Sequence, residues 1–191
     1  YAKVLTAALA YLARKQSDTF GLFSVNNKQI HAVLPRFEQQ QFIWFLNELI
    51  LVKSESSWRK SNDIEYLFDR RGKEMIIFFT DLYDEQNDLL NFISRLKTSR
   101  NEVIVFHIMG DLEMQLDYKG SYNFQDLETK DMRQVDTIEQ KQAYIQRVDE
   151  WIKKSRLWMY ERQITYHLTR LSDPFEKSLR NFLKVRKSLN R

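Results

Sequence analysis

The segment "MIIFFTDLYDE", residues 75–85, runs an apolar stretch into Thr80 and Asp81 and then into Asp84 and Glu85. Such a stretch reads as a strand, and in an α/β sheet the polar turn at a strand's carboxyl end is where chemistry is usually held. Thr80 and Asp81 offer a hydroxyl and a carboxylate, donors suited to a hard cation such as Mg²⁺, which needs only one or two carboxylates beside hydroxyls and water. A metal-dependent hydrolase would pair Asp81 with Asp84, Asp111 or Glu113, and requires a second reactive group near Asp81. The sequence names no convincing one. Acids are also an ordinary way to begin a helix, because carboxylates accept from its unpaired first N–H groups and complement its dipole. Asp84 and Glu85 fit that plainer role.

Other chemistries find little support. The four glycines, at 21, 72, 110 and 120, have no spacing that builds a phosphate-cradling turn. There is no cysteine, which removes thiol nucleophiles, disulfides and zinc–thiolate sites. His31, His107 and His167 all lie in apolar, strand-like stretches, where histidines usually serve the core or a sheet face. Tyr144, Trp151 and Trp158 recur every seven residues, the spacing of a core-facing helix stripe rather than a platform for stacked bases.

The elements that would position these residues can be read from periodicity. Helices are expected over "YAKVLTAALAYLARKQSD", "FEQQQFIWFLNELILV", "DIEYLFDRRG", "DEQNDLLNFISRLKTSRN", the long stretch beginning "TIEQKQAY", and a last helix after Asp173-Pro174. Their expected inward residues include Val4, Ala8, Tyr11 and Leu12 in the first, and Phe42, Phe45, Leu46, Leu49 and Ile50 in the second. Leu89, Phe92, Ile93 and Leu96 are expected inward in the fourth, and Leu179, Phe182 and Leu183 in the last. "TFGLFSV" and "KQIHAVLP" read as short strands around an Asn26-Asn27 turn, and "EVIVFHIM" as a strand covered on both faces. "ITYHLTRL" is the last strand, and residues 110–136 read as a β-rich surface excursion. Strands alternating with helices predict an α/β fold with a mostly parallel sheet and helices on both faces, built as one domain over 1–191.

Composition sets the remaining bounds. The chain is 43% hydrophobic and 14% aromatic, as in globular domains. Asn47 and Glu48 interrupt the longest apolar run, so no membrane span is expected. With no cysteine and no visible signal peptide, a cytoplasmic location is expected; the chain opens in what already reads as a helix, as a fragment would. The net charge of +4 is uneven: residues 151–191 carry eleven basic and three acidic side chains. Lys153, Lys154, Arg180, Lys184, Arg186 and Lys187 could contact nucleic-acid phosphates, although helices ending in Lys and Arg are commonly just solvated.

Several ordered motifs resemble one bacterial family. "YAKVLTAALAYLARKQSDTFGLFSV" is similar to its first helix and second strand, and "MIIFFTDLYDE" to its strand ending in Ser-Asp-x-x-Asp, with Thr80 for the Ser. "HIMGDLEMQL" keeps Glu113 of a His-x-x-Asp-Pro-x-Glu pattern, and "GSYNFQDLET" keeps Asp126 and Glu128. "DPFEKSLRNFLKVR" resembles the family's final helix. The family contains a von Willebrand factor A-like domain of unassigned function, whose genes typically sit beside MoxR-type AAA+ ATPases. The resemblance implies a doubly wound, Rossmann-like sheet carrying a metal-ion-dependent adhesion site.

In that site Asp81 would be one ligand, with Asn62 at the position of a Thr and Ser61 as a substitute. The Asp-x-Ser-x-Ser that completes it, and the first central strand, would lie upstream of Tyr1, and the Asp of Asp-Pro-x-Glu is Gly110. The site is therefore expected to be degenerate and without tight metal here, with Mg²⁺ or Mn²⁺ binding only if the upstream motif is restored. The missing strand would leave sheet edges that close on each other or recruit another chain, giving a homo-oligomer. The functional expectation is a non-enzymatic interaction module serving a MoxR-type ATPase and a protein client. Thr80, Asp81, Asp84, Glu113, Asp126 and Glu128 would form the partner contacts, although the last three acids can equally bond backbone in turns.

Overall fold

The computed structural model describes residues 1–26, 30–53, 58, 72–84, 87–118, 120–125 and 132–189. Along the chain the elements are α1 (Ala2–Lys15), β1 (Phe20–Val25), β2 (Ile30–Arg36), α2 (Gln41–Leu51), β3 (Glu74–Thr80), α3 (Asp88–Leu96) and β4 (Asn101–Met109). They continue with α4 (Asp111–Gln115), β5 (Ser121–Gln125), β6 (Met132–Asp136), α5 (Thr137–Glu161), β7 (Thr165–Arg170) and α6 (Phe175–Leu189). The expected helix "DIEYLFDRRG", the centre of the Asn26-Asn27 turn, and Ser61, Asn62, Asp126 and Glu128 lie outside the described residues. The chain forms two compact units, one of Tyr1–Lys60 with Phe175–Arg191, the other of Ser61–Pro174.

In the first unit β1 and β2 form an antiparallel hairpin, with Leu22 opposite Val33 and a register shift between Phe20 and Leu22. Gly21 sits at that irregularity because a Cβ there would meet the Val33 carbonyl oxygen at 2.5 Å and Pro35 at 2.8 Å. Pro35 in β2 is tolerated where the ladder is already interrupted. Gln41, almost fully buried at the start of α2, donates through Nε2 to the Phe20 and Leu34 carbonyls at 3.2 and 2.9 Å, fastening helix to hairpin. Phe45, Leu49 and Ala10 form the core of this unit, with Phe20 edge-on to Phe45 at 5.3 Å. The Tyr1 hydroxyl meets Ser178 Oγ at 2.9 Å, joining the start of the chain to α6.

On three helices some residues expected inward are exposed, although Phe42, Phe45, Leu46 and Leu49 of α2 pack inward as expected. Tyr11 and Val4 of α1 are exposed while Leu5 is buried, and Ile50 of α2 is 70% exposed. Leu183 of α6 is likewise exposed, while Phe182, also expected inward, is buried. Where apolar residues occupy most of a helix's circumference, spacing marks the helix but does not fix which face turns inward.

The second unit is built on the parallel sheet β3-β4-β7. β4 is central and buried along most of its length, as its unbroken apolar run predicts. Phe79, Phe106 and His167 stack across the three strands, with both centroid separations 5.1 Å, on one face of the sheet. On the other face α3 seats Leu89, Phe92, Ile93 and Leu96, with Phe92 against Phe78, while Trp151 of α5 lies edge-on to His107. Successive right-handed crossovers that step the same way across a sheet place both helices on one face. The result is a mixed α/β unit consistent with a Rossmann-like fold. The excursion is partly helical: α4 precedes the antiparallel hairpin β5–β6.

Candidate functional site

β3 ends at Thr80, opposite His107 of β4, so the Thr80–Asp84 turn lies at the carboxyl end of the parallel sheet. The Thr80 hydroxyl accepts the Leu82 N–H at 2.9 Å, and Asp81 Oδ1 accepts the Tyr83 N–H at 3.1 Å. Hydroxyl and carboxylate residues build such side-chain turns because their short arms reach the backbone two residues on. Leu82 between them is left-handed, φ 57°, and only 4% exposed. That conformation costs on the order of 1 kcal/mol for a residue with a Cβ, and burial of the leucine together with the two flanking bonds holds it. Asp84 Oδ2 accepts the Leu89 N–H at 2.6 Å, at the start of α3. Asp84 thus does the work of a helix start, Glu85 lies outside the described residues, and Asp81 and Tyr83 remain exposed, Tyr83 by 72%.

A second turn follows β4. Glu113 Oε2 accepts the Gly110 N–H at 2.7 Å, the reaching-back half of a capping box, and the Tyr144 hydroxyl of α5 donates to the Glu113 carbonyl at 2.7 Å. Ser172 Oγ donates to Asp111 Oδ1 at 2.8 Å, and Lys141 bonds Asp117 at 2.8 Å. Burial raises the Tyr144 pKa, and Glu113, Tyr83 and Tyr118 push it the same way, which brings these three within electrostatic reach of its ring. Leu112 is 50% exposed beside them. Asp81, Tyr83, Leu112, Glu113, Tyr118 and Tyr144 therefore give the carboxyl end of the sheet an aromatic and acidic surface. Sequence reading placed Tyr144 only in a core stripe and passed over Tyr83 and Tyr118; the tyrosine in "DLYDE" was the available signal.

Beneath this surface lies a buried polar pair. His107 has no exposed surface, and its Nδ1 lies 2.6 Å from the Tyr166 hydroxyl. Burial lowers its pKa from 6.5 to about 4, the Asp81 carbonyl and carboxylate offsetting part of the shift, so the ring is neutral at neutral pH. Its Nε2 has no hydrogen-bond partner of good geometry among the described residues. Burial also pushes the Tyr166 pKa well up and that of His167 down. A neutral histidine fixed by a tyrosine, under an indole, is a structural buttress for the strand end.

For a cation, the described residues bring Asp81 with one carboxylate oxygen already bonded to the Tyr83 N–H, and Thr80 with its hydroxyl bonded to the Leu82 N–H. No group of three His, Cys, Asp or Glu side chains placed to hold a metal occurs among the described residues. Thr80 and Asp81 are the two oxygen donors this turn would bring to a cation such as Mg²⁺, whose remaining ligands would have to come from water or from other groups. The basic candidates divide between the units: Lys153 and Lys154 are on α5, and Arg180, Lys184, Arg186 and Lys187 are on α6. Arg180, Lys184 and Lys187 share one side of α6 with Leu179 and Leu183. Arg186 instead sits over the Phe182 ring at 5.9 Å. No helix among the described residues is long and apolar enough to cross a membrane.

Comparison with known proteins places the chain in a family. No curated protein matches the chain. Its fold is similar to that in the crystal structure of the conserved hypothetical protein BatB from Bacteroides thetaiotaomicron, with a TM-score of 0.55 at 12% identity. The match covers 100% of this chain and 87% of that one, a likeness of fold alone. The sequence pattern of the DUF58 proteins of unknown function matches residues 1–155, so the chain belongs to the DUF58 family.

Proposed function

We propose that this protein is a non-enzymatic interaction module that works with a MoxR-type AAA+ ATPase in the assembly or remodelling of other proteins, in the cytoplasm. The observation that carries the reading is the pairing of exposed Tyr83 and Asp81 on a turn made rigid by three side-chain-to-backbone bonds. Tyrosine gives large contact area with little conformational entropy to lose, which is why it is enriched at protein interfaces. Leu112 and the ring of Tyr144 extend that surface, and an acidic margin favours a partner with basic side chains. The resemblance to the family whose genes neighbour MoxR-type ATPases supplies the partner class.

The finer fold reading, a von Willebrand factor A-like doubly wound sheet, belongs to the same proposal. The order β3-β4-β7, with both crossover helices on one face, supports it as one side of such a sheet. Mg²⁺ and Mn²⁺ are the ions to test as adjuncts of docking at Asp81. Backbone hydrogen exchange with the purified ATPase and ATP tests the reading. Slowed exchange over residues 80–84 and 111–118 is expected. Protection confined to other segments, or none at saturating ATPase, contradicts it.

A further inference from the structure

α2 carries an apolar face that the fold of its own unit does not use. Phe45 and Leu49 point into the core, yet Ile43, Trp44, Ile50 and Leu51 on the opposite side are 63%, 40%, 70% and 62% exposed. At 100° per residue these four, with exposed Asn47 among them, form a single continuous stripe about a third of the helix circumference wide. No charged residue lies within it. At its margin Lys3 Nζ donates to the Ile50 carbonyl at 2.8 Å and the Arg36 guanidinium lies over the Trp44 ring at 5.8 Å. Phe37, next to Arg36, is 84% exposed. Contiguous apolar surface of this kind marks an interaction site.

We propose that this face binds a second copy of the chain, α2 against α2, antiparallel across a two-fold axis at Asn47. The stripe is self-complementary about that residue. Ile43 and Leu51 stand four positions to either side, and Trp44 and Ile50 three, so an antiparallel pair sets Ile43 against Leu51 and Trp44 against Ile50. Asn47, the lone polar side chain of the stripe, has both a donor and an acceptor and can satisfy itself against its own copy. A buried asparagine at such a position also fixes register.

The area is adequate. The four apolar residues with Phe37 expose roughly 600 Å² per chain, approaching the ~800 Å² that each partner of a standard interface buries, and the polar margin adds to it. A face without charges suits a homodimer, whose interfaces are more apolar than those of transient complexes. A helix lying on a lipid surface would instead carry lysine and arginine along its polar side.

The test is the mass of the protein in solution by sedimentation equilibrium. Wild type is expected to reach twice the 23.2 kDa chain mass as concentration rises, with little dependence on salt. Ile50→Glu, at a solvent-facing position, is expected to keep the circular dichroism of the wild type and remain at one chain mass. Because the chain has no cysteine, Asn47→Cys provides a single thiol, and oxidation should link it across the axis where Arg100→Cys does not link. A wild type that stays at one chain mass up to millimolar concentration overturns the proposal, as does a dimer that survives Ile50→Glu. So does a monomer that sediments with phosphatidylcholine–phosphatidylserine vesicles in an Ile50-dependent way, which would assign the face to lipid.

Discussion

The side chains of Thr80, Asp81 and Asp84 each accept a backbone N–H, and that determines what their replacement does. Asp84→Ala removes the acceptor for Leu89 at the start of α3, so a loss of about 1 kcal/mol is expected in denaturant unfolding. Asp81→Ala, on the exposed side of the turn, should cost less. His107 contributes through its protonation. Its folded pKa of about 4 lies below the ordinary 6.5, so the unfolded chain binds the proton more readily between those values. Its contribution is fully present above pH 6.5 and is lost as pH falls toward 4, by at most roughly 3 kcal/mol. Unfolding free energy measured across that window should fall more steeply for wild type than for His107→Gln. Equal slopes would show that another group titrates. The strand-end acid was legible at this scale, because one apolar run meeting Thr-Asp is a local signal. The partnership of His107 with Tyr166 was not, since it joins positions 59 residues apart that only sheet pairing brings together.

Among the elements, β4 carries the second unit. Phe106 is fully buried between Phe79 and His167, so Phe106→Ala should destabilise the protein by about 3–5 kcal/mol and broaden or abolish cooperative unfolding. A thermal midpoint within a degree or two of wild type would mean the stack is not a core. α3 was readable down to its four inward residues because its other positions are mostly polar. α2 was readable as a helix and in most of its phase, since Phe42, Phe45, Leu46 and Leu49 pack inward as expected, while its second apolar side, with Ile50 at the edge, gave no local sign of staying uncovered. α4 was missed for a different reason. A helix of five residues has too few turns to show a period, and its signal lay in Gly110 and Glu113, whose bond fixes its start.

For the molecule as a whole, ordered motifs pointed to a bacterial family of unassigned function, and the match over residues 1–155 shows membership of DUF58, a family of unknown function. The proposed docking surface was half legible. Asp81, Asp84 and Glu113 were chosen as acids, but Tyr83, Tyr118 and Tyr144 converge only when α5 lays its hydroxyl on the α4 turn. We propose above all that this surface, at the carboxyl end of the parallel sheet, is where a protein partner is held. The direct measurement is calorimetric titration of the purified MoxR-type ATPase into wild type, Asp81→Ala and Tyr83→Ala, each with and without Mg²⁺. At least tenfold weaker binding is expected for Tyr83→Ala, since a central interface tyrosine commonly carries about 2 kcal/mol. Asp81→Ala should also bind more weakly, and a Mg²⁺ dependence lost in that variant would add a cation to the contact. Affinities equal to wild type in both variants, or no binding to any of the three, would contradict the claim.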